Sequence, residues 1–376
     1  MKVLNRCALV VIMCFFLYVN SQASSNNSTS LIWFTHTVEQ GNVGAWSSLA
    51  LFNNRPHIAY TDDALNALKY AFQDNLGWHI EIVDNSGYVG LLPSIAIDSK
   101  GDPHIAYYSS TGSLLKYAYK EGGNWVIEPL ASAMSAYRFA SLVLDNNDHP
   151  HIAYVSDNWH LLYTYRHGTG WNTETIETNS SSSVSLALYS NGQPHVSYVS
   201  GNSVRYAYLD AVTGWQTQIL PTTFSSGFES TSLALDSEGM PHIIYASIEN
   251  EVDSTIYRVL RYAHLNEGQW QIQLVDGVLG VAGDVGGDNA LALDRSDYPR
   301  MSYFAGGAGG GLKYAFYDGS DWQFQIVDTD GFYTSLALDE FDNNYISYRQ
   351  FGQLKLARST PDYPEKVYLP MIGVAN

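Results

Sequence analysis

Short runs in which apolar and polar residues alternate recur along almost the whole chain. In one representative stretch they are Ser94–Asp98, Pro103–Tyr107, Leu115–Ala118 and the segment opening at Trp125. Each run has a period of two and is rich in β-branched or aromatic residues, which predicts a strand with distinct faces rather than a helix. Gly, Asn, Asp and Pro cluster at the joins, as turns require. The four runs are named a, b, c and d in chain order, and no window beyond the first residues shows a 3.6-residue apolar period.

The b run is the clearest marker. Pro-His-Ile-Ala-Tyr or a close variant occurs at Pro56–Tyr60, Pro103–Tyr107, Pro150–Tyr154, Pro194–Tyr198, Pro241–Tyr245, Pro299–Tyr303 and Asn344–Tyr348. Successive copies lie 47, 47, 44, 47, 58 and 45 residues apart. That spacing fits one four-stranded blade of a propeller. The fold class predicted is therefore all-β, a seven-bladed β-propeller of four-stranded blades. Trp78, Trp125, Trp171, Trp215, Trp270 and Trp322 open six d strands, but no tryptophan follows Leu354–Ala357 in the seventh repeat. Trp33–Val38, ahead of the first a strand, supplies the missing one, so the N-terminal strand is expected to complete blade seven and leave no open sheet edge.

The organisation expected is a signal peptide at 1–23, a short linker at 24–30, the propeller at 31–358 and a C-terminal tail at 359–376. Lys2 and Arg6, the apolar run Cys7–Val19 and Ser21-Gln22-Ala23 form a charged segment, an apolar core and a small-residue cleavage site. A lipid anchor at Cys14 is disfavoured by the apolar residues after it. The implied location is secreted, extracellular or cell-surface, with no membrane insertion after signal cleavage. Leu369–Gly373 resembles a sortase signal but lacks the apolar helix and basic end that would follow one.

Both cysteines, Cys7 and Cys14, fall inside the leader, so the mature chain has no disulfide, catalytic thiol or cysteine metal site. The net charge of −18 argues against nucleic acid or an anionic membrane surface as partner. The partners that remain are an extracellular protein or a glycan, met by a monomer.

Residues present in every blade are first explained by what every blade needs, which is packing against its neighbours. His57, His104, His151, His195 and His242 occupy one equivalent position around a wide ring, too far apart to share an ion at about 2 Å. Each is expected to bond a turn Asp or a backbone group of its own blade; Arg300 and Tyr345 replace the histidine in the other two. The recurrent Trp and Tyr are expected to pack between blades, with repeated sugar pockets as the functional alternative.

Repeats such as Ser94–Tyr107 followed by Leu115–Ala118 resemble those of uncharacterised secreted bacterial propellers near the sialidase-like, BNR-type group. The resemblance covers nearly the whole mature chain and implies a fold without an activity. Fragments of the group's Asp box remain, as in Asp318-Gly319-Ser320-Asp321-Trp322. The arginine triad and Tyr–Glu nucleophile pair of a sialidase cannot be matched.

The function expected is a non-catalytic binding scaffold that holds a protein or glycan. A lectin-like carbohydrate-binding propeller is the first alternative, and a glycoside hydrolase or polysaccharide lyase of sialidase-like fold the second. Catalysis would need convergent titratable groups, and no hydrolase elbow, zinc motif or phosphate loop is present. Connections of unequal length fall on the face carrying the d–a and b–c loops. Trp46, Tyr137, Arg138, Phe228, Glu229, Phe332 and Tyr333 lie near the a-strand starts and are the predicted ligand-binding residues. No cofactor is required. Asp284 and Asp288, in a Gly-rich connection, are the oxygen donors that a cation such as Ca²⁺ would use, the plainer reading being a flexible loop.

Overall fold

The computed structural model describes residues 31–132, 140–178, 182–221, 230–248, 257–277, 283–306 and 310–361. These form seven four-stranded antiparallel blades arranged in a ring, a seven-bladed β-propeller without helices. Blade one runs β2 (Val43–Phe52), β3 (Arg55–Asp62), β4 (Ala67–Asp74) and β5 (Gly77–Asp84) in the order a to d. The next five blades repeat it.

Blade seven contains β26 (Phe332–Leu338), β27 (Asn344–Gln350) and β28 (Gln353–Pro361), and its fourth strand is β1 (Leu31–Glu39). Trp33 pairs with Ser359 and Thr35 with Ala357, so the closure read from the tryptophan count is the one observed. The c strand of this blade continues to Pro361, past the start of the expected tail.

Burial follows from the ring. The b strands are covered on both faces, and β7 (Pro103–Ser109) is buried throughout. One face of a b strand carries Ile and Tyr and the other a small residue. Ile58 and Tyr60 pack towards blade seven, whereas Ala59 leaves room for Tyr70, Leu68 and the next blade. The described core divides into seven apolar clusters, one at each blade interface. Stability is thereby spread around the ring and depends on each blade having two neighbours.

Three polar rings reinforce these clusters. On the outside, each d-strand Trp donates its indole N–H to the residue three positions after the Trp of the preceding blade. The acceptors run from His36 for Trp78, through Glu81, Glu128, Glu174, Gln218 and Gln273, to Gln325 for Trp33, at 2.9–3.2 Å. On the inside, the Ser of each a strand accepts the backbone N–H of the next blade's a strand, as Ser94 Oγ does from Leu142 at 2.9 Å. Equivalent bonds occur at Ser48, Ser141, Ser185, Ser232 and Ser335, and Ala290 interrupts the series. On the d–a face, a b-strand Tyr and a c-strand Lys or Arg meet the acid ending the preceding d strand. Tyr60 and Lys69 on Glu39, at 2.5 and 2.6 Å, are one of five such groups. Burial, followed by the adjacent carboxylate, drives the Tyr60 phenol far above its ordinary range, which keeps it a neutral donor.

The histidines bear out an intra-blade role; the turn Asp is a partner of Nε2, as Asp236 is of His242 at 3.4 Å, and a c-strand tyrosine is added to it. Each Nδ1 bonds the c-strand tyrosine of its own blade: His57 with Tyr70 at 2.5 Å, His195 with Tyr206 at 2.5 Å, His242 with Tyr262 at 2.6 Å, and likewise His104 with Tyr117 and His151 with Tyr163. The turn Asp stands at 3.4–3.8 Å from Nε2 in three blades. Its carboxylate is mainly committed to backbone N–H groups of the turn, as Asp98 is to Lys100 and Asp102. Where Arg300 replaces the histidine, it takes that carboxylate directly, at 2.5 Å from Asp294.

Candidate functional site

The first halves of the a strands line a cavity of about 220 Å³ at the centre of the ring, towards the d–a side. One backbone feature shapes it. Two residues before the recurrent Ser position lie Trp46, Leu92, Ser183, Asp288 and Tyr333, all with positive φ, between 37° and 56°. Bulky residues are uncommon in that region. Each costs on the order of 1 kcal/mol and persists only where its surroundings enforce it. All five coincide with a register shift in the pairing of a with b, so they are bulges. A bulge re-aims a side chain relative to regular alternation, and these five line the cavity.

Glycine makes the bend possible in three of these strands. Gly44, Gly90 and Gly286 lie two residues ahead of Trp46, Leu92 and Asp288, also with positive φ. A Cβ at Gly90 would stand 2.7 Å from the Leu68 Cα of the preceding blade, so the chains approach there too closely for any side chain.

The re-aimed residues divide the cavity wall in two. On blades seven, one and two, Tyr333 leans on Trp46 with ring centroids 5.4 Å apart, and Trp46 packs on the cluster that holds Leu91 and Leu92. On blades four, five and six, the wall is Ser183, Ser230, Asp288 and Asn289. Ser47 Oγ donates to Tyr333 O at 3.0 Å, and Tyr333 N–H donates to Asp288 Oδ2 at 3.1 Å, which fixes aromatic arc to polar arc. Asn289 Nδ2 donates to Ser230 Oγ at 2.7 Å and Gly286 O at 2.9 Å. Its Oδ1 is buried with no hydrogen-bond partner among the described residues.

The expected residues separate accordingly. Trp46, Tyr333 and Asp288 come together. Phe332 does not line the cavity: it stacks on Phe304 at 4.3 Å and is 39% exposed, because the bulge sends Tyr333 inward and its neighbour outward. Tyr137, Arg138, Phe228 and Glu229 lie outside the described residues, although Ala140 and Ser230 close by are in the wall. The Asp284 side chain also lies outside them, and the described residues hold no group of three or more His, Cys, Asp or Glu placed to bind a metal. Leu92, Ser183 and Asn289 were not anticipated. Their signal was positional, a fixed distance from the recurrent Ser.

No protein-family model matches the chain, and no curated protein matches it. Solved structures do. A polysaccharide lyase of family PL25, an ulvan lyase bound to -[GlcA(1-4)Rha3S]-, is 14% identical; the match covers 87% of this chain and 95% of that one, with a TM-score of 0.56. The BP39L lectin of Burkholderia pseudomallei is 11% identical over 81% and 96% of the two chains, also at 0.56. AofleA from Arthrobotrys oligospora is 13% identical over 81% and 91%, at 0.51. The likeness is one of fold. It sets the chain beside seven-bladed propeller proteins and carries no residue of their sites into this one.

Proposed function

We propose that the protein is a secreted carbohydrate-binding propeller that holds one end of a glycan in its central mouth. The observation that carries this reading is the divided wall, with Trp46, Tyr333 and Leu92 on one arc and Ser183, Ser230, Asp288 and Asn289 on the other. A pyranose has C–H faces that stack on aromatic rings and hydroxyls that bond to amides and carboxylates, and an amphipathic wall matches both. At about 220 Å³ the cavity is smaller than the roughly 300–1,000 Å³ usual for drug-sized ligands, which suits a single ring or chain end. The six described wall positions, Trp46, Leu92, Ser183, Ser230, Asp288 and Tyr333, are not identical, so one asymmetric ligand fits better than a set of equal ones.

Charge narrows the class. Asp288 in the wall and a chain net charge of −18 favour a neutral glycan over a sulfated or uronic one. Asp288 is the sole carboxylate among the described wall residues, which supports binding over the two-carboxylate chemistry of glycoside hydrolysis. Export, expected from the charged and apolar segments within residues 1–23, belongs to this reading, since such ligands are met outside the cell. The test is an array of neutral, uronic and sulfated glycans probed with the labelled protein, with bound glycans checked for cleavage. Retention of neutral glycans, uncleaved, is expected. Retention of sulfated or uronic glycans alone, turnover, or no retention at all would overturn the reading.

A further inference from the structure

A second slot lies at the interface of blades four and five, on the face opposite the central mouth, and it differs from the two interfaces where a c-strand cation covers the slot. In blades one and two, the slot between neighbours is closed by charge. Lys120 lies over Tyr70, Phe72 and Trp125 and pairs with Glu81 at 2.8 Å. Arg166 lies over Tyr117, Tyr119 and Trp171 and pairs with Glu128. At blades four and five, the cation position is Leu265, the acid position is Gln218, and the turn aspartate position is Tyr189. All three charges are gone, and the slot is a cavity of about 240 Å³ lined by these residues together with His195, Tyr208 and Glu238.

His195 is the decisive group. It is 94% buried, being 6% exposed, and its Nδ1 is engaged by Tyr206 at 2.5 Å. Its Nε2 has no hydrogen-bond partner among the described residues. In three sister blades, the same nitrogen faces a carboxylate at 3.4–3.8 Å, and here that residue is Tyr189, whose ring lies over Gly239 of the next blade instead. Burial pushes the imidazole down to about 4, so it is neutral and carries one N–H. The Tyr206 phenol is kept neutral by burial and has Nδ1 as its acceptor among the described residues, which assigns the single imidazole N–H to Nε2 of this cavity-lining histidine. A buried donor without an acceptor is unfavourable, and a bound acceptor would relieve that cost.

We propose that this slot is a second binding site, independent of the central mouth, for a small uncharged hydroxylated molecule such as a sugar ring or polyol, with His195 Nε2–H donating to a ligand oxygen. Among the described residues, no cation lines the slot to hold an anion, and Glu238 at its rim repels one. Tyr208, stacked on His195 with centroids 6.2 Å apart, and Leu265 supply the apolar wall for C–H groups. Gln218 spends its Oε1 on Trp270 and keeps its amide N–H groups for the ligand.

The test uses the whole protein and a stated panel: glycerol, myo-inositol and the methyl pyranosides of glucose, galactose, mannose, rhamnose and fucose. Saturation-transfer NMR reads ligand contact, and the histidine side-chain ¹⁵N–¹H correlation reads the Nε2 proton. At least one compound is expected to bind with a dissociation constant on the order of 1 mM, as a ring of that size allows, and to shift one imidazole N–H. Tyr189→Asp, which restores the sister-blade carboxylate, and Leu265→Lys, which restores the covering cation, should each remove that signal and leave the parent melting temperature. Trp46→Ala should leave it intact, which separates this site from the central mouth. Silence from the whole panel, or a signal that survives both blade-interface substitutions, would overturn the proposal.

Discussion

Replacing Trp33 by Ala tests how the ring is held shut. The Trp33 indole donates to Gln325 at 2.9 Å, meets the Tyr314 ring edge-on at 5.1 Å and packs half-buried on the blade six to seven cluster. The hydrogen bond contributes about 1 kcal/mol and the aromatic pair about 0.5–1.5 kcal/mol. Truncating a half-buried Trp adds roughly half of the 3–5 kcal/mol usual in a core. Allowing for overlap, the loss is about 3 kcal/mol. An unfolding entropy of about 2.1 cal/mol/K per residue over the propeller is about 0.7 kcal/mol/K, so the melting temperature should fall by about 4 °C. The control is Trp322→Ala. Trp322 makes the same bond to a glutamine, Gln273 at 3.1 Å, and the same edge contact, to Tyr262 at 5.4 Å, but within a covalently continuous run of blades. Calorimetric melting of both variants should give similar drops. If Trp33→Ala melts within 1 °C of the parent while Trp322→Ala falls as expected, the closing strand does not hold the ring and the reasoning fails.

Two further expectations concern the internal rings. Burial lowers His57 and His195 to about 4 from 6.5, so the unfolded chain takes up protons that the native one refuses. Stability from each is complete above pH 6.5 and is lost as pH falls from there towards 4, by about 2 kcal/mol at pH 5. Urea midpoints from pH 7 to 5 should therefore decline less steeply in His57→Gln, and an unchanged slope would reject the assignment. In the inner ring, Ser141→Ala strands the Leu186 N–H and should cost about 1–3 kcal/mol, whereas Ala290→Ser, which completes the ring, should gain about 0.5–1.5 kcal/mol by the same titration; opposite signs would show that these bonds are not what joins the a strands.

The fold was legible because its units repeat. The Pro-His-Ile-Ala-Tyr phrases fall on the b strands, and the displaced Trp33 identifies the closing strand, since an indole slot must be filled at every interface. The site was legible only in part. Phe332 and Tyr333 are adjacent and equally aromatic, and which one faces inward is decided by a bulge that shifts register between Phe332 and Ser335. That bulge is carried by Trp, Leu, Ser, Asp and Tyr in different blades, so residue type gives no sign of it. The tyrosine partner of the histidines was missed for a similar reason. Sequence proximity favoured the turn Asp, but strand pairing brings His104 opposite Tyr119 and beside Tyr117, a contact between strands that no local phrase displays.

The central claim, that the divided mouth binds a neutral glycan, is tested most directly by calorimetric titration of the best array ligand into the parent, Trp46→Ala, Tyr333→Ala and Phe341→Ala. Phe341 is 63% exposed in the a–b turn of blade seven, on the opposite face, and serves as the control. At least a tenfold loss of affinity, about 1.4 kcal/mol, is expected for each mouth variant, and parent affinity for Phe341→Ala. Parent affinity in both mouth variants, with loss in Phe341→Ala, would contradict it.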